Sequence, residues 1–388
     1  MGGSSERRPD AVIGRAIVAG HICLDILPRL TETGEELAAM LSPGTVTEIG
    51  STLVATGGAV ANVGVALHRL GVPVRLSARV GEDLFGRAIG ELLAAVDSSL
   101  PHGLIASPAD STSYSIVLSA RGSDRTFLHF PGANDLFRAD DLSAEAIEGC
   151  DLLHFGYPPA MRSIYRDGGA ELVALLERAK AAGLTTSLDM SYPPPGSEAS
   201  LIDWRAILGR ALPLVDLFIP GVEEISSMLQ GGEPGAAPAR GAQPFPELLQ
   251  PGHLRRVAAE LLEMGCALCV LKLGSDGLYV RTTGDPERIA GMGRCAPRDP
   301  ADWIGRELHG PCFAVRVVGT TGAGDCTAAG FIAGLLHRLS LPETVTSALA
   351  AGACAVEGIE ATATIPGWDA LTRRIAAGWP RAASRLSL

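Results

Sequence analysis

The sequence predicts a three-layer α/β fold: a mostly parallel central sheet with helices on both faces, plus a small β-sheet lid. Two features of the 388-residue chain carry that expectation. Apolar runs of strand length alternate with amphipathic or small-residue runs of helix length, the pattern of a sheet built from strand–helix–strand units. One segment, Ser111–Phe130, instead holds two strand-like runs joined by a Gly-containing turn with no helix between them.

In chain order, "RAIVAG" and "VRLSARVG" read as strands on either side of a helical "ANVGVALHRLG". Between the first strand and that helix, "ICLDILPRL" and "TVTEIGSTLVATGG" read as extended; with the hairpin they complete the lid. "CDLLHFG" precedes a helical "GGAELVALLERAKAAG", which feeds the strand "LTTSLDM". "LVDLFIP" leads into "GVEEISSMLQ", and "LRRVAAELLEMG" into "ALCVLKLG" and "GLYVRT". The Gly/Pro/Ala-rich 230–252 stretch reads as a loop insertion, and 281–311 as a second irregular excursion. "FAVRVV" reads as a last strand before a glycine turn and helix.

Composition narrows the function. An apolar fraction of 47% with 19% charged residues suits a compact enzyme. A net charge of −11 argues against a nucleic-acid partner or an anionic membrane surface, though not against a nucleotide held by local amides and cations. No apolar h-region follows "MGGSSERRPD", and no membrane-length apolar run is present, so a cytoplasmic protein is expected. Eight cysteines are too few for a disulfide scaffold in this length. Cys266 and Cys269 form a CxxC, but their apolar run favours buried small hydrophobes over zinc ligands.

The most informative stretch is "VVGTTGAGDCTAAGF", Val317–Phe331. Gly322, Ala323 and Gly324 leave main-chain amides uncovered at the start of a helix, where an anion is favoured. The lysine and hydroxyl of a Walker A loop are missing, as is the third glycine of the dinucleotide fingerprint. Asp325 has a bland reading as a helix cap and a functional one as the group that orients an attacking hydroxyl. The site then fails if that carboxylate is sealed in the interior with no open cleft reaching those amides. Asp189, Glu223, Glu224 and Gly274 all come after strand-like runs as well, and ligands of open α/β sheets bind beyond the carboxyl ends of the strands.

"TTGAGD" together with "GGAVAN" (Gly57–Asn62) resembles the paired signatures of the ribokinase-like (PfkB-type) carbohydrate kinases. "GHICLDILP", "ARVGEDLFG", "PGAND" and "LKLGSDG" match in the same order, from about Arg15 to Pro366. The resemblance implies one kinase domain over 15–380 behind a flexible N-terminus at 1–14, with lid segments near 22–56 and 111–131. It implies ATP and Mg2+ as cofactors and a carbohydrate as acceptor of the γ-phosphoryl group, at a hydroxyl expected to be primary. Asp325 is the implied catalytic base and Gly322, Ala323 and Gly324 the implied anion hole. Asp25, Gly57, Gly58 and Asn62 are implied at the sugar, and Lys272, Gly274, Ser275, Gly277 and Thr320 at the nucleotide. Glu224 is implied at magnesium, through water. Asn62 also has a reading as a helix-turn cap, Lys272 as a solvated strand end and Glu224 as a first-turn acid favoured by the dipole.

Three positions depart from the family pattern. Gly319 stands where an aspartate usually helps hold a monovalent cation, so potassium activation is not implied. Gly221 replaces the asparagine of an "NxxE" element, and "DMSYPPPGS" lacks the Asn and Arg that often follow its Asp. The alternatives are a nucleoside kinase, a phosphosugar kinase using Arg79 or Arg125, and a silent ligand-binding relative. His129 reads as lid structure, and a homodimer through the lid is expected. The helix N-terminus is expected to hold Asp325 below the ordinary carboxylate pKa, making it a weak base, which a loose phosphoryl-transfer transition state tolerates.

Overall fold

The computed structural model describes residues 14–30, 42–44, 46–118, 126–230 and 246–386. Within them, strand alternation sets the layering. In β1 (Ala16–Gly20), Ala16 and Val18 enter one hydrophobic core while Ile17 and Ala19 enter a second. The same division runs through Leu152 against Leu153 and Phe155 in β8 (Leu152–Gly156), and through Leu268 and Val270 against Cys269 and Leu271 in β11 (Leu268–Lys272). A strand buried on both faces needs apolar residues at every position, which is why these runs read as continuous rather than alternating.

The central sheet has nine strands in the order β13-β12-β11-β10-β9-β8-β1-β4-β5. The others are β4 (Val74–Gly81), β5 (Leu104–Ser107), β9 (Thr185–Asp189), β10 (Leu217–Phe218), β12 (Leu278–Thr282) and β13 (Glu307–Gly310). The seven strands β11, β10, β9, β8, β1, β4 and β5 pair in parallel; β12 and β13 add an antiparallel edge. A second sheet of four strands, in the order β3-β2-β6-β7, holds β2 (Cys23–Pro28), β3 (Thr52–Gly57), β6 (Tyr114–Leu118) and β7 (Thr126–Phe130).

Among the described residues the helices of eight or more residues are α1 (Gly58–Arg69), α2 (Leu84–Val96), α3 (Arg162–Ala181), α4 (Trp204–Ala211), α5 (Val222–Gln230), α6 (Pro251–Glu263), α7 (Ala323–Leu336), α8 (Leu341–Ala355) and α9 (Trp368–Ala376). One face of the sheet is covered by α1, α7 and α8, the other by α3, α4, α5 and α6. Local chemistry sets several starts. Asp83 accepts from Gly86 N–H at the head of α2, and Ser340 with Glu343 forms a capping box on α8. No described helix is long and apolar enough to cross a membrane.

The hairpin β6–β7 is antiparallel and joins β2 and β3 in the second sheet, as expected for the lid. Two expectations are corrected. The run 313–318 is not a strand of the sheet: Phe313 makes an isolated bridge to Arg381, and Val317 and Val318 are exposed. Val318 and Gly319 N–H groups donate to Val356 O, so this segment is tied to the end of α8 instead. The 281–311 stretch is not wholly irregular, since β13 pairs with β12 across it and a short helix occupies Pro286–Ala290. Most of the 230–252 insertion, and Arg125, lie outside the described residues.

Candidate active site

Several strands of the central sheet end side by side, and each hands the chain to a polar group. β1 ends at Gly20 and delivers His21; β8 ends at Gly156 and delivers Tyr157; β9 ends on Asp189 and β11 on Lys272. Backbone bonds lock the steps together: His21 N–H donates to Gly156 O, and Tyr157 N–H to Asp189 O. From the opposite side, α7 enters with its first turn.

Gly322 caps α7 with φ 69°, a left-handed conformation glycine adopts at little cost, and a Cβ there would lie 2.3 Å from the Ala361 Cβ. Gly322, Ala323 and Gly324 are partly exposed, so their amides are accessible. Those at the start of α7 have no intrahelical acceptor, although Ala323 N–H donates to Thr320 O at 3.3 Å. Thr320 itself is exposed.

Asp325, below this turn, is 2% exposed. Its carboxylate accepts from Asn62 Nδ2 at 2.8 Å and from the Tyr157 hydroxyl at 2.7 Å. The turn is thus partly exposed, while the carboxylate is buried beneath it. Each carboxylate oxygen can accept twice, so a further hydroxyl can bind without displacing either donor. Burial raises the Asp325 pKa above the ordinary value, opposed by the Lys272 charge and the bonds from Asn62 and Tyr157. The helix-dipole expectation of a lowered pKa is thus overturned, because removal from water outweighs the dipole.

Lys272 is no solvated strand end. Its Nζ donates to both Asp189 oxygens at 2.6 and 2.7 Å, and Asp189 is fully buried. The ammonium also lies against the anion turn, 3.5 Å from where a Gly324 Cβ would be. Burial pushes Asp189 up to about 7, helped by Glu224 and Asp325 and opposed by Lys272. Burial favours the neutral amine of Lys272, but Asp189, Glu224 and Asp325 outweigh it and hold the pKa above the usual lysine value. Glu224 accepts from Gly221 N–H at 2.8 Å through Oε2, and Gly221 bridges Lys272, which brings this first-turn acid beside the pair. Among the described residues no three His, Cys, Asp or Glu side chains converge as a metal cage, Cys266 and Cys269 included.

Asp25 lies in β2, 8% exposed, with Cys23 Sγ donating to its Oδ1 at 3.2 Å. The glycines opposite make room for protein groups. A Cβ on Gly57 would fall 2.3 Å from Asp25 Oδ2, and one on Gly58 (φ 85°) would fall 2.5 Å from His21 Nδ1. His21 Nε2 meets His129 Nε2 of the lid at 3.3 Å, and its ring lies 6.0 Å from that of Tyr157. Gly274 and Gly277 bracket a tight turn after β11 with φ 59° and 97°, Ser275 exposed on it. Arg79 is spent elsewhere, in a bidentate pair with Asp141.

Tyr157 lies in no sequence motif, and His21, although within "GHICLDILP", has no role that the motif assigns. The left-handed backbone of Tyr157 (φ 68°) is unusual for an aromatic residue and marks a constrained position.

The pattern of the pfkB family carbohydrate kinases matches residues 29–368, most of the chain. The chain belongs to that family. This sugar kinase is 26% identical to fructokinase-1 of Zea mays over 84% of each chain. Its fold is that of Arabidopsis thaliana ribokinase, solved with ribose and ATP, at a TM-score of 0.68 and 19% identity, covering 93% of this chain and 98% of that one. A ribokinase II from E. coli, solved with ATP and Mg2+, superposes with a TM-score of 0.67 at 20% identity, covering 94% and 99%. The two-sheet architecture of the kinase is therefore the ribokinase fold.

Tyr157→Phe gives a pH test of the carboxylate environment. The hydroxyl bond favours the ionised Asp325, so its loss raises that pKa further. The acid limb of kcat/KM is expected to move upward, and a limb that stays put or moves down removes the coupling.

Proposed function

We propose that this kinase transfers the γ-phosphoryl group of ATP to a primary hydroxyl of a neutral sugar, with Asp325 as general base. The observation that supports this most is Asp325 beneath the accessible Gly322–Gly324 turn, with the Lys272 ammonium against the same turn. In this reading the acceptor hydroxyl is held between Asp25 and Asn62 and donates its proton to Asp325. The amides of Gly322–Gly324 and the Lys272 charge stabilise the transferring group, and Gly274, Ser275, Gly277 and Thr320 line the rest of the nucleotide. Burial makes Asp325 a better base than a surface aspartate, although in a loose transition state the proton leaves late.

The donor set suits magnesium, which binds through one or two carboxylates and substrate phosphates rather than a protein cage. Glu224, through water, would hold it, and the ion would neutralise phosphate charge. Gly319 is buried and offers no side-chain oxygen to a monovalent cation.

The neutral acceptor follows from charge. Among the described residues Asp189, Glu224 and Asp325 surround one ammonium, already paired to Asp189. Burial and His129 hold the His21 pKa well below its usual value, so it adds no cation at neutral pH. An acceptor with its own carboxylate or phosphate would meet these acids uncompensated. The rings of His21, His129 and Tyr157 support a second reading, a nucleoside acceptor stacked by its base.

An ATP-consumption assay over ketoses, aldoses, sugar acids, phosphosugars and nucleosides tests this. Turnover on a neutral sugar is expected. Turnover confined to phosphosugars or sugar acids removes the charge argument, a nucleoside-only response selects the second reading, and silence throughout points to a ligand-binding relative. The edge strand β7, with Phe127, Leu128 and Phe130 exposed, supports pairing of two copies through the lid. A single-chain mass in sedimentation removes that part.

A further inference from the structure

The chain past α9 returns to the Gly274–Gly277 turn. Trp379 stacks on Phe313 with ring centroids 4.4 Å apart, and the Arg381 guanidinium covers that ring, 3.6 Å from its centroid. Main-chain bonds then run Pro380 O to Ala314 N–H and Ala382 N–H to Cys312 O, at 2.9 and 2.8 Å. The strap ends on Asp276, the residue between Ser275 and Gly277. Arg385 donates its main-chain N–H to Asp276 Oδ1 at 2.7 Å and its guanidinium to Oδ2 at 2.6 and 3.0 Å. Ser384 Oγ donates to Asp276 O at 3.3 Å, and Leu386 is buried in the core beneath.

Asp276 is almost wholly buried, whereas Arg385 is about half exposed. Its carboxylate is bound by the strap, while Ser275 beside it is exposed. A turn with two left-handed glycines is free to take other shapes in the absence of an external tie. His309 Nε2 meets Asp276 O at 2.8 Å and Cys312 Sγ donates to Gly274 O at 3.4 Å, but the tie on the Asp276 carboxylate comes from more than a hundred residues away.

We infer that the C-terminal strap, through Arg385 on Asp276, is a positioning device that presets the Gly274–Gly277 turn for the nucleotide and so governs ATP affinity. This rests on the reading that the turn lines the ATP phosphates. A preset turn spares ATP the ordering of that loop on binding, so losing the tie weakens ATP without touching the acceptor or the transfer step.

The test compares Arg385→Ala, Arg385→Lys and Ser275→Glu in the full chain, reading KM for ATP, KM for the acceptor, kcat and melting temperature. Arg385→Ala is expected to raise KM for ATP roughly tenfold, the equivalent of one strong charge-assisted pair. Acceptor KM and kcat should hold, and the lysine should restore part of the loss by reaching one oxygen. Ser275→Glu, which puts an anion on the turn, should raise KM for ATP by itself. If Ser275→Glu weakens ATP and Arg385→Ala does not, the strap is only structural and the inference falls. If neither affects ATP, the turn is not at the nucleotide and the underlying reading fails first. A parallel rise in both KM values with a lower melting temperature signals general loosening, which also overturns it. Should Arg385→Ala not fold, Asp276→Asn is read in the same way.

Discussion

Asp325→Asn is expected to lower kcat by roughly a hundredfold or more, the scale of a general acid–base group, without lowering the melting temperature at neutral pH. The two halves of that expectation have separate causes. Catalysis suffers because an amide cannot take the acceptor's proton and carries no charge to orient it. Stability does not, because the folded pKa of Asp325 is raised by burial. A carboxyl shifted in that direction contributes stability at low pH, and the contribution is lost as pH rises through the folded pKa. Above that pKa the ionised, buried carboxylate therefore works against folding, and the neutral amide removes that burden. Asn62 can turn its own amide to accept from the new NH2, which preserves the contact at 2.8 Å. The difference in melting temperature between variant and parent should shrink as pH falls. Near-normal turnover would end the base assignment, and lost turnover with a markedly lower melting temperature would make Asp325 a structural residue.

How much of this site the sequence discloses depends on whether the signal is local. Gly322, Gly324 and Asp325 are legible because turn, cap and acid lie within one stretch, and α7 begins where that stretch predicts. Asn62 is legible as a site residue, though its contact with Asp325 spans 263 positions and no spacing encodes it. Asp189 ends a strand in an element that departs from the family pattern, and only the parallel order of β9, β10 and β11 brings it to Lys272. Tyr157 carries no signature at all. It comes after an ordinary buried strand, and it meets Asp325 from a backbone conformation that composition does not reveal.

The misread segments have equally physical origins. "FAVRVV" has strand composition, but β13 already occupies the adjoining edge and Val356 O captures the chain. β-Propensity reports fit to a half-buried pleated surface, and here no such surface is available. The expected low pKa of Asp325 fails for a related reason. A helix start is visible in sequence, whereas the burial that raises the pKa comes from tertiary packing, and the Lys272 charge and the bonds from Asn62 and Tyr157 only oppose it.

Lys272→Met is expected to show the second large effect, and a double substitution apportions it. Removing the ammonium takes one charge from the anion turn, a loss of roughly 3 kcal/mol in the transition state by comparison with a missing oxyanion donor, or about two orders of magnitude in kcat. It also leaves Asp189 buried beside Glu224 and Asp325 with no cation. Breaking a buried pair from one side typically costs about 3–5 kcal/mol of stability. The loss here should fall at the lower end and shrink in mildly acidic solution, because Asp189, already pushed up to about 7 with Lys272 present, escapes by taking a proton. Asp189→Asn combined with Lys272→Met leaves neither charge, so stability should largely return while turnover stays low. That split separates two jobs of one ammonium: neutralising a buried acid and meeting a phosphoryl group. If the double variant regains turnover together with stability, Lys272 serves the fold alone, and charge stabilisation at the turn falls to the amides of Gly322–Gly324 and the metal.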